Sequence, residues 1–337
     1  MISIRNIIHF QDFVDVYHQA LRFPLRTLLS RFRLRKSSRT RAAWDKIELP
    51  GKEWANINRI QAHISRITTG DPAREYYEYI AEKYLKGREP LIALSLGSGR
   101  GYNEIRWTHY CRFREFRGIE LSPKLVSFAN RLAAENHRPE VSFTVGNAAE
   151  VLLPAGHFDA VFVQHSLHHF SRLEKVIGLV KQCLKPGGLF IVDEYIGVNR
   201  LQWPDVQLRW ANTLLREMPE RYRKLWNLDR VKKCVQRPGL LRMYLADPSE
   251  AVESEKIRPL LAKHFTTLEL KEIGGSVLCP LFHDIGMNFP DDDTEAMKIV
   301  DRCIRTETEL LQHGEITSDF MMGVFTRRQG DDRPTQG

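Results

Sequence analysis

From residue 91 onward, short apolar runs alternate with helical stretches, and this rhythm limits the fold more than any other feature of the chain. "LIALSL", "FRGIEL", "VSFTVG", "FDAVFVQ" and "LFIVDEYI" read as buried strands. Between them lie a helix from Tyr102, the helix "SPKLVSFANRLAAEN" with Ser122 as cap and Pro123 at its start, and "LEKVIGLVKQCL", stopped by "KPGG". Strands separated by crossover helices run parallel with right-handed connections, so the expected class is α/β with helices on both faces of the sheet. The rhythm resumes near the end with the helix "EKIRPLLAKHF", the strand "TTLELKEIGG", a helical stretch over about 291–313 and a final strand "DFMMGVFTRR".

Two segments break the pattern. Residues 52–86 read as helices, and "DPAREYYEYIAEKYLKG" opens on Asp71-Pro72 as cap and first position and closes on Gly87. Residues 196–250 are long, helical and rich in Trp and Arg. Placed over the carboxyl edge of an open α/β sheet, they would shape a substrate pocket; the same tryptophans suit an oligomer interface. The expected division is an arm at 1–41, a helical extension at 42–90, a nucleotide-type core at 91–195, a cap at 196–250, the rest of the core at 251–328 and a disordered tail at 329–337.

Charge is concentrated at one end. Residues 1–41 hold nine Lys and Arg against Asp12 and Asp15, a balance of +7, while the remainder carries 41 against 40. Leu21, Leu25, Leu28, Leu29 and Phe32 recur within the arm at helical spacing. A basic amphipathic helix of this kind lies on an anionic membrane or docks an acidic carrier, or it packs on the domain with a solvated arginine face. The neutral remainder carries no recognition motif for nucleic acid. With 337 residues, 42% of them apolar, the chain can bury a full core. No apolar run approaches the roughly 20 residues that span a bilayer, and no signal peptide is legible. Five scattered cysteines without a CxxC pair argue for reduced thiols, and the expected location is the cytoplasm, with peripheral membrane contact through the arm as the open alternative.

The first strand runs directly into "GSGRG". A turn needs one or two glycines; Gly97, Gly99 and Gly101 at alternate positions suggest that a ligand approaches the backbone. A dinucleotide fingerprint would need its third glycine at position 102, which is Tyr102, so the G-x-G-x-G spacing suits a smaller ligand. Glu120, at the end of the second strand, is placed to bind two ribose hydroxyls.

With these elements in order, residues from about 70 to 328 resemble the class I S-adenosylmethionine-dependent methyltransferases. "LSLGSGRG" is similar to the family's glycine motif, "GIELSPKLV" to its ribose-binding motif and "VGNAAEVLLP" to the segment that cups the adenine. "FDAVFVQHSLHHF" is similar to its fourth strand and methyl-side loop, and "LKPGGLFIVDEYIG" to its fifth strand. The continuation also resembles a bacterial subgroup associated with glycans and small metabolites. The resemblance implies a Rossmann-like seven-stranded sheet, S-adenosylmethionine as cofactor, and binding through Ser95, Gly97, Ser98, Gly99, Gly101, Glu120, Leu121, Asn147, Ala148 and Gln164. Two departures stand out. Ser95 occupies a usually acidic position, for which Glu104 is the candidate substitute, and Asn147 occupies the place of an Asp while keeping an acceptor oxygen.

The implied function is methyl transfer to a small molecule, sugar or lipid-linked glycan, at a hydroxyl. The alternatives are a nicotinamide-dependent dehydrogenase or a non-catalytic cofactor-binding protein. Because the sulfonium methyl is already electrophilic, the protein must align a nucleophile and, for a hydroxyl, take its proton. His165 or His168 is the candidate base, with Glu194 the further catalytic candidate; His169, Tyr195 and Trp203 are assigned to the substrate. Spacing offers no third ligand beside the histidines, and no metal is expected.

Overall fold

The computed structural model describes residues 54–226 and 229–328. The basic arm, the start of the helical extension and the 329–337 tail lie outside the described residues. Seven strands form a single sheet: β1 (Leu91–Leu96), β2 (Phe113–Glu120), β3 (Val141–Val145), β4 (Phe158–Gln164), β5 (Leu184–Tyr195), β6 (Phe265–Gly274) and β7 (Phe320–Arg327), in the order β3-β2-β1-β4-β5-β7-β6. The first five are parallel, whereas β7 lies antiparallel between β5 and β6. This is the seven-stranded Rossmann-like arrangement, with its switch point between β1 and β4, where crossovers leave in opposite directions and a crevice opens at the carboxyl edge.

Strand alternation sorts the side chains onto two faces. Ala93, Phe116, Ala160, Phe162, Leu189 and Ile191 face one core, packed by α1 (Asn58–Thr69), α2 (Tyr76–Ile80), α3 (Tyr102–Trp107) and α4 (Pro123–Glu135). Ile92, Leu94, Val161, Val163, Phe190 and Val192 face the other, covered by α5 (Leu173–Cys183) and, beyond α6 (Asp205–Glu217) and α7 (Leu240–Ala246), by α8 (Ile257–His264). A third apolar cluster joins Trp54 and α1 to α6, α9 (Leu278–Phe282) and α10 (Thr294–Gln312).

Local chemistry explains the element ends. The Ser122 hydroxyl accepts the Leu125 N–H at 3.2 Å, with Pro123 at the first helical position of α4. Asp293 caps α10 through the N–H groups of Glu295 and Ala296. The Asp71-Pro72 pair, by contrast, does not start a helix. Asp71 Oδ1 accepts the Ala73 N–H at 2.8 Å in a local turn, Glu75 is extended, and α2 begins at Tyr76. Among the described residues of 196–250 only α6 and α7 are α-helices, and much of the rest is turns and irregular chain. No helix among the described residues is long and apolar enough to cross a membrane.

Candidate active site

A cavity of about 620 Å³ opens at the carboxyl ends of β1, β2 and β4. Gly97, Ser98, Gly99, Glu120, Leu121, Asn147, Ala148, Gln164, His165 and His169 all line it. The glycine loop is built from both sides. At Gly101, where φ is +81°, an added Cβ would lie 2.7 Å from Phe143 and 2.9 Å from Ala129, so packing of the loop on α4 and β3 requires glycine. At Gly99, φ is +57° and a Cβ would meet nothing within 4 Å. That glycine lines the cavity and no protein packing demands it, which suits a site where a ligand approaches the backbone. Glu120 secures the loop, accepting the Gly99 N–H at 3.0 Å on one carboxylate oxygen and the Ser122 N–H at 2.9 Å on the other. The Asn147 Oδ1 takes the Ala149 N–H at 3.0 Å and keeps a second lone pair.

Ser95 does not line the cavity. Its hydroxyl donates to Glu104, and both side chains are buried beneath the loop. Burial pushes the Glu104 carboxyl up to about 7. Its Oε2 is buried and has no hydrogen-bond partner among the described residues.

A smaller cavity of about 280 Å³ adjoins the first, and Asn103 and His165 line both. Its wall combines Trp54, Tyr76, Tyr77, Phe320 and Met322 with the charged groups Glu75, Arg106 and Asp193. Gln164 ties the aromatic side together: its Oε1 accepts the Trp107 indole N–H at 3.0 Å, and its amide donates to the hydroxyls of Tyr76 and Tyr77.

His165 stands at the junction. It follows β4 directly with φ at +52°, a left-handed conformation uncommon outside glycine, and its N–H donates to the Asp193 carbonyl at 2.8 Å. The side chain is 58% exposed, and its Nε2 lies 3.4 Å from Asp193 Oδ2. The Asp193 charge raises the imidazole to about 9. Alternation along β5 sets this geometry, because Asp193 pairs with Gln164 and shares its face, while Glu194 points to the other.

Glu194, fully buried, serves the loop instead. It accepts the N–H groups of Ser166, Leu167 and Tyr195 and pairs with the Nδ1 of His168. Burial alone would raise its carboxyl; His168 and the loop N–H groups outweigh that and hold it below the usual range. Neither His168 nor Glu194 lines either of these two cavities. His169 lines the larger one beside Ser249 and Val252, the contribution of the 247–252 segment. Tyr195 and Trp203 are buried and line neither; the Tyr195 hydroxyl donates to the Val198 carbonyl. Sequence reasoning passed over Asp193, Asn103, Tyr76, Tyr77 and Ser249. Counting by twos along "LFIVDEYI" would have separated Asp193 from Glu194, and Asn103 follows the glycine motif directly; Tyr76, Tyr77 and Ser249 come from segments that carry no motif.

Residues 94–192 match a family model described as "Methyltransferase domain". An uncharacterized methyltransferase of Bacillus subtilis, YcgJ, is 30% identical over 123 residues, covering 33% of this chain and 48% of that protein. A demethylmenaquinone methyltransferase of Thermus thermophilus is 30% identical over 108 residues, 32% of this chain and 49% of that one. The chain thus spans about half the length of these relatives. A solved S-adenosylmethionine-dependent methyltransferase of Mesorhizobium loti superposes with a TM-score of 0.42 at 17% identity, over 74% of this chain and 98% of that one.

Proposed function

We propose that this chain, whose residues 94–192 form a class I S-adenosylmethionine-dependent methyltransferase domain, methylates a hydroxyl of a small molecule held in the aromatic cavity. The observation that carries the reading is that one imidazole, His165, borders both cavities.

The larger cavity fits an adenosyl cofactor. Glu120 offers a carboxylate where two ribose hydroxyls would lie, the open face at Gly99 admits close approach, and Asn147 keeps an acceptor for an amino group. Bound there, the cofactor supplies an electrophilic methyl group, so the remaining work falls to the chain. The aromatic wall holds the apolar part of the acceptor, and Glu75 and Arg106 meet its polar end. With Nε2 turned to Asp193, His165 Nδ1 is the nitrogen that accepts the hydroxyl proton, and Asp193 carries the compensating charge. A proton-accepting dyad has a use when the nucleophile must lose a proton, as a hydroxyl must.

The test is a pH profile. Below the His165 pKa of about 9 the base is protonated, so kcat/KM should climb towards that pH, about tenfold per unit. Asp193→Asn should bring the break down towards about 6.5, the ordinary imidazole value, and lower the plateau. His165→Ala should cost about 10² to 10⁴ in kcat while calorimetry finds cofactor affinity retained. Wild-type turnover in His165→Ala, or a flat profile from pH 6 to 9, would remove the base from the scheme.

A further inference from the structure

We propose that His168, His169 and Glu250 form a binding site for one divalent transition-metal ion of the zinc class. The proposal is independent of the methyl-transfer reading. It rests on how two adjacent histidines and a glutamate from far along the chain bring their ligand atoms within 4.8 Å of one another.

His168 and His169 share a single tight turn after β4, yet their rings lie side by side, with centroids 4.1 Å apart. Glu250 arrives from the segment after α7. The Val252 N–H donates to the His168 carbonyl at 3.1 Å, the Ala251 carbonyl accepts the Arg200 N–H at 2.7 Å, and Ala251 itself is left-handed at φ +46°. This backbone is held in a conformation that costs energy for a residue with a side chain.

Proton accounting fixes what the rings present. Glu194 is ionised and can only accept, so His168 carries its proton on Nδ1. The Ser249 hydroxyl gives its proton to Asp247 Oδ1 at 2.5 Å, so it accepts from His169, 3.3 Å away, whose proton is also on Nδ1. In the neutral form of each ring the lone pair is then on Nε2, and both Nε2 atoms turn to the Glu250 carboxylate at 3.7 and 3.9 Å. A protonated imidazole would draw the carboxylate in to about 2.7–2.9 Å, as charge-assisted hydrogen bonds do. The observed spans instead approach the roughly 3.4 Å between neighbouring ligands of a tetrahedral ion bound at about 2.0–2.1 Å.

The surroundings match those of a built metal site. Each histidine holds its other nitrogen against an oxygen acceptor, Glu194 for His168 and Ser249 backed by Asp247 for His169, the arrangement that orients metal-binding imidazoles. Two histidines and one glutamate leave a fourth position for water. The ion would pin the 247–252 segment to the β4 turn and so set the wall of the larger cavity at His169, Ser249 and Val252.

The experiment uses the full chain, stripped with a chelator and titrated with Zn²⁺ and, separately, Co²⁺. One ion per chain by calorimetry, a rise in Tm on loading and visible Co²⁺ absorption of tetrahedral type are expected. Ser249→Ala should weaken binding by about 10- to 100-fold and Glu250→Gln by more, because it removes a ligand rather than a group behind one. Circular dichroism of the stripped variants should match that of the stripped wild type, which separates lost binding from lost folding. Absence of stoichiometric binding to the wild type, or wild-type affinity in Glu250→Gln, would overturn the site.

Discussion

Glu104 shows how much a single side chain can depart from what its letter suggests. On a helix it would ordinarily be a solvated carboxylate, but here it is buried beneath the glycine loop, accepts the Ser95 hydroxyl and is pushed up to about 7. Between its ordinary value near 4.5 and about 7, the folded protein holds a proton that the unfolded chain has released. The resulting stability is fully present below about pH 4.5 and is lost as pH rises through 7. Glu104→Gln keeps an acceptor for Ser95 and carries no charge. Urea unfolding should therefore find the variant more stable than wild type at pH 8, by up to about 3 kcal/mol, and close to it at pH 4.5. A variant no more stable at pH 8 would show that water or a neighbouring group already relieves the buried charge.

At the scale of the element, the loop between β1 and α3 divides its glycines between folding and binding. Gly101 is enclosed by Phe143 and Ala129, so Gly101→Ala combines left-handed strain with overpacking and should cost about 2–4 kcal/mol by urea unfolding. Gly99 has free space around it, so Gly99→Ala should cost only the backbone strain, about 1–2 kcal/mol, while calorimetry finds cofactor affinity much reduced. The contrast between the variants is the measurement. Similar stability losses, or a Gly99→Ala that binds normally, would mean the cofactor does not cross that glycine. The strands were legible for a simple reason: in a sheet covered on both sides, β1 and β4 are continuous apolar runs, and their observed ends agree with those read from "LIALSL" and "FDAVFVQ". The 196–250 segment was harder to read, because an irregular chain held by tertiary contacts has no period.

For the whole molecule, the charge asymmetry between the arm and the rest of the chain leads to a test. Residues 1–41 carry +7 on an otherwise nearly neutral chain. We expect the full chain to bind anionic vesicles strongly at low salt, since each basic residue near such a surface contributes about 1 kcal/mol within a Debye length. Binding should fall steeply as salt rises and vanish when the arm is deleted, with cofactor affinity unchanged by the deletion. Co-sedimentation that ignores salt, or a deletion mutant that loses stability without the wild type ever binding vesicles, would assign the arm to packing instead.

The sequence by itself determined the sheet, its crossovers and the cofactor-side cavity. Apolar runs, glycines that must be left-handed and a helix cap are local requirements, visible one segment at a time. The glycine loop, Glu120 and Asn147 fall in order along the chain and meet because consecutive parallel strands bring their carboxyl ends together. Only the tertiary structure decided what the carboxylates do. Glu194, a catalytic candidate by sequence, and Glu307 are both buried acceptors of backbone N–H groups: Glu194 takes those of Ser166 and Leu167 in the turn after β4 and of Tyr195 in β5, and Glu307 those of Gly275, Val277 and Leu278. Asp193, one residue from Glu194, reaches the cavity because the pleat turns it to the other face. Glu250 meets two histidines from far along the chain. Such meetings depend on how distant segments pack, and spacing in the sequence carries no trace of them.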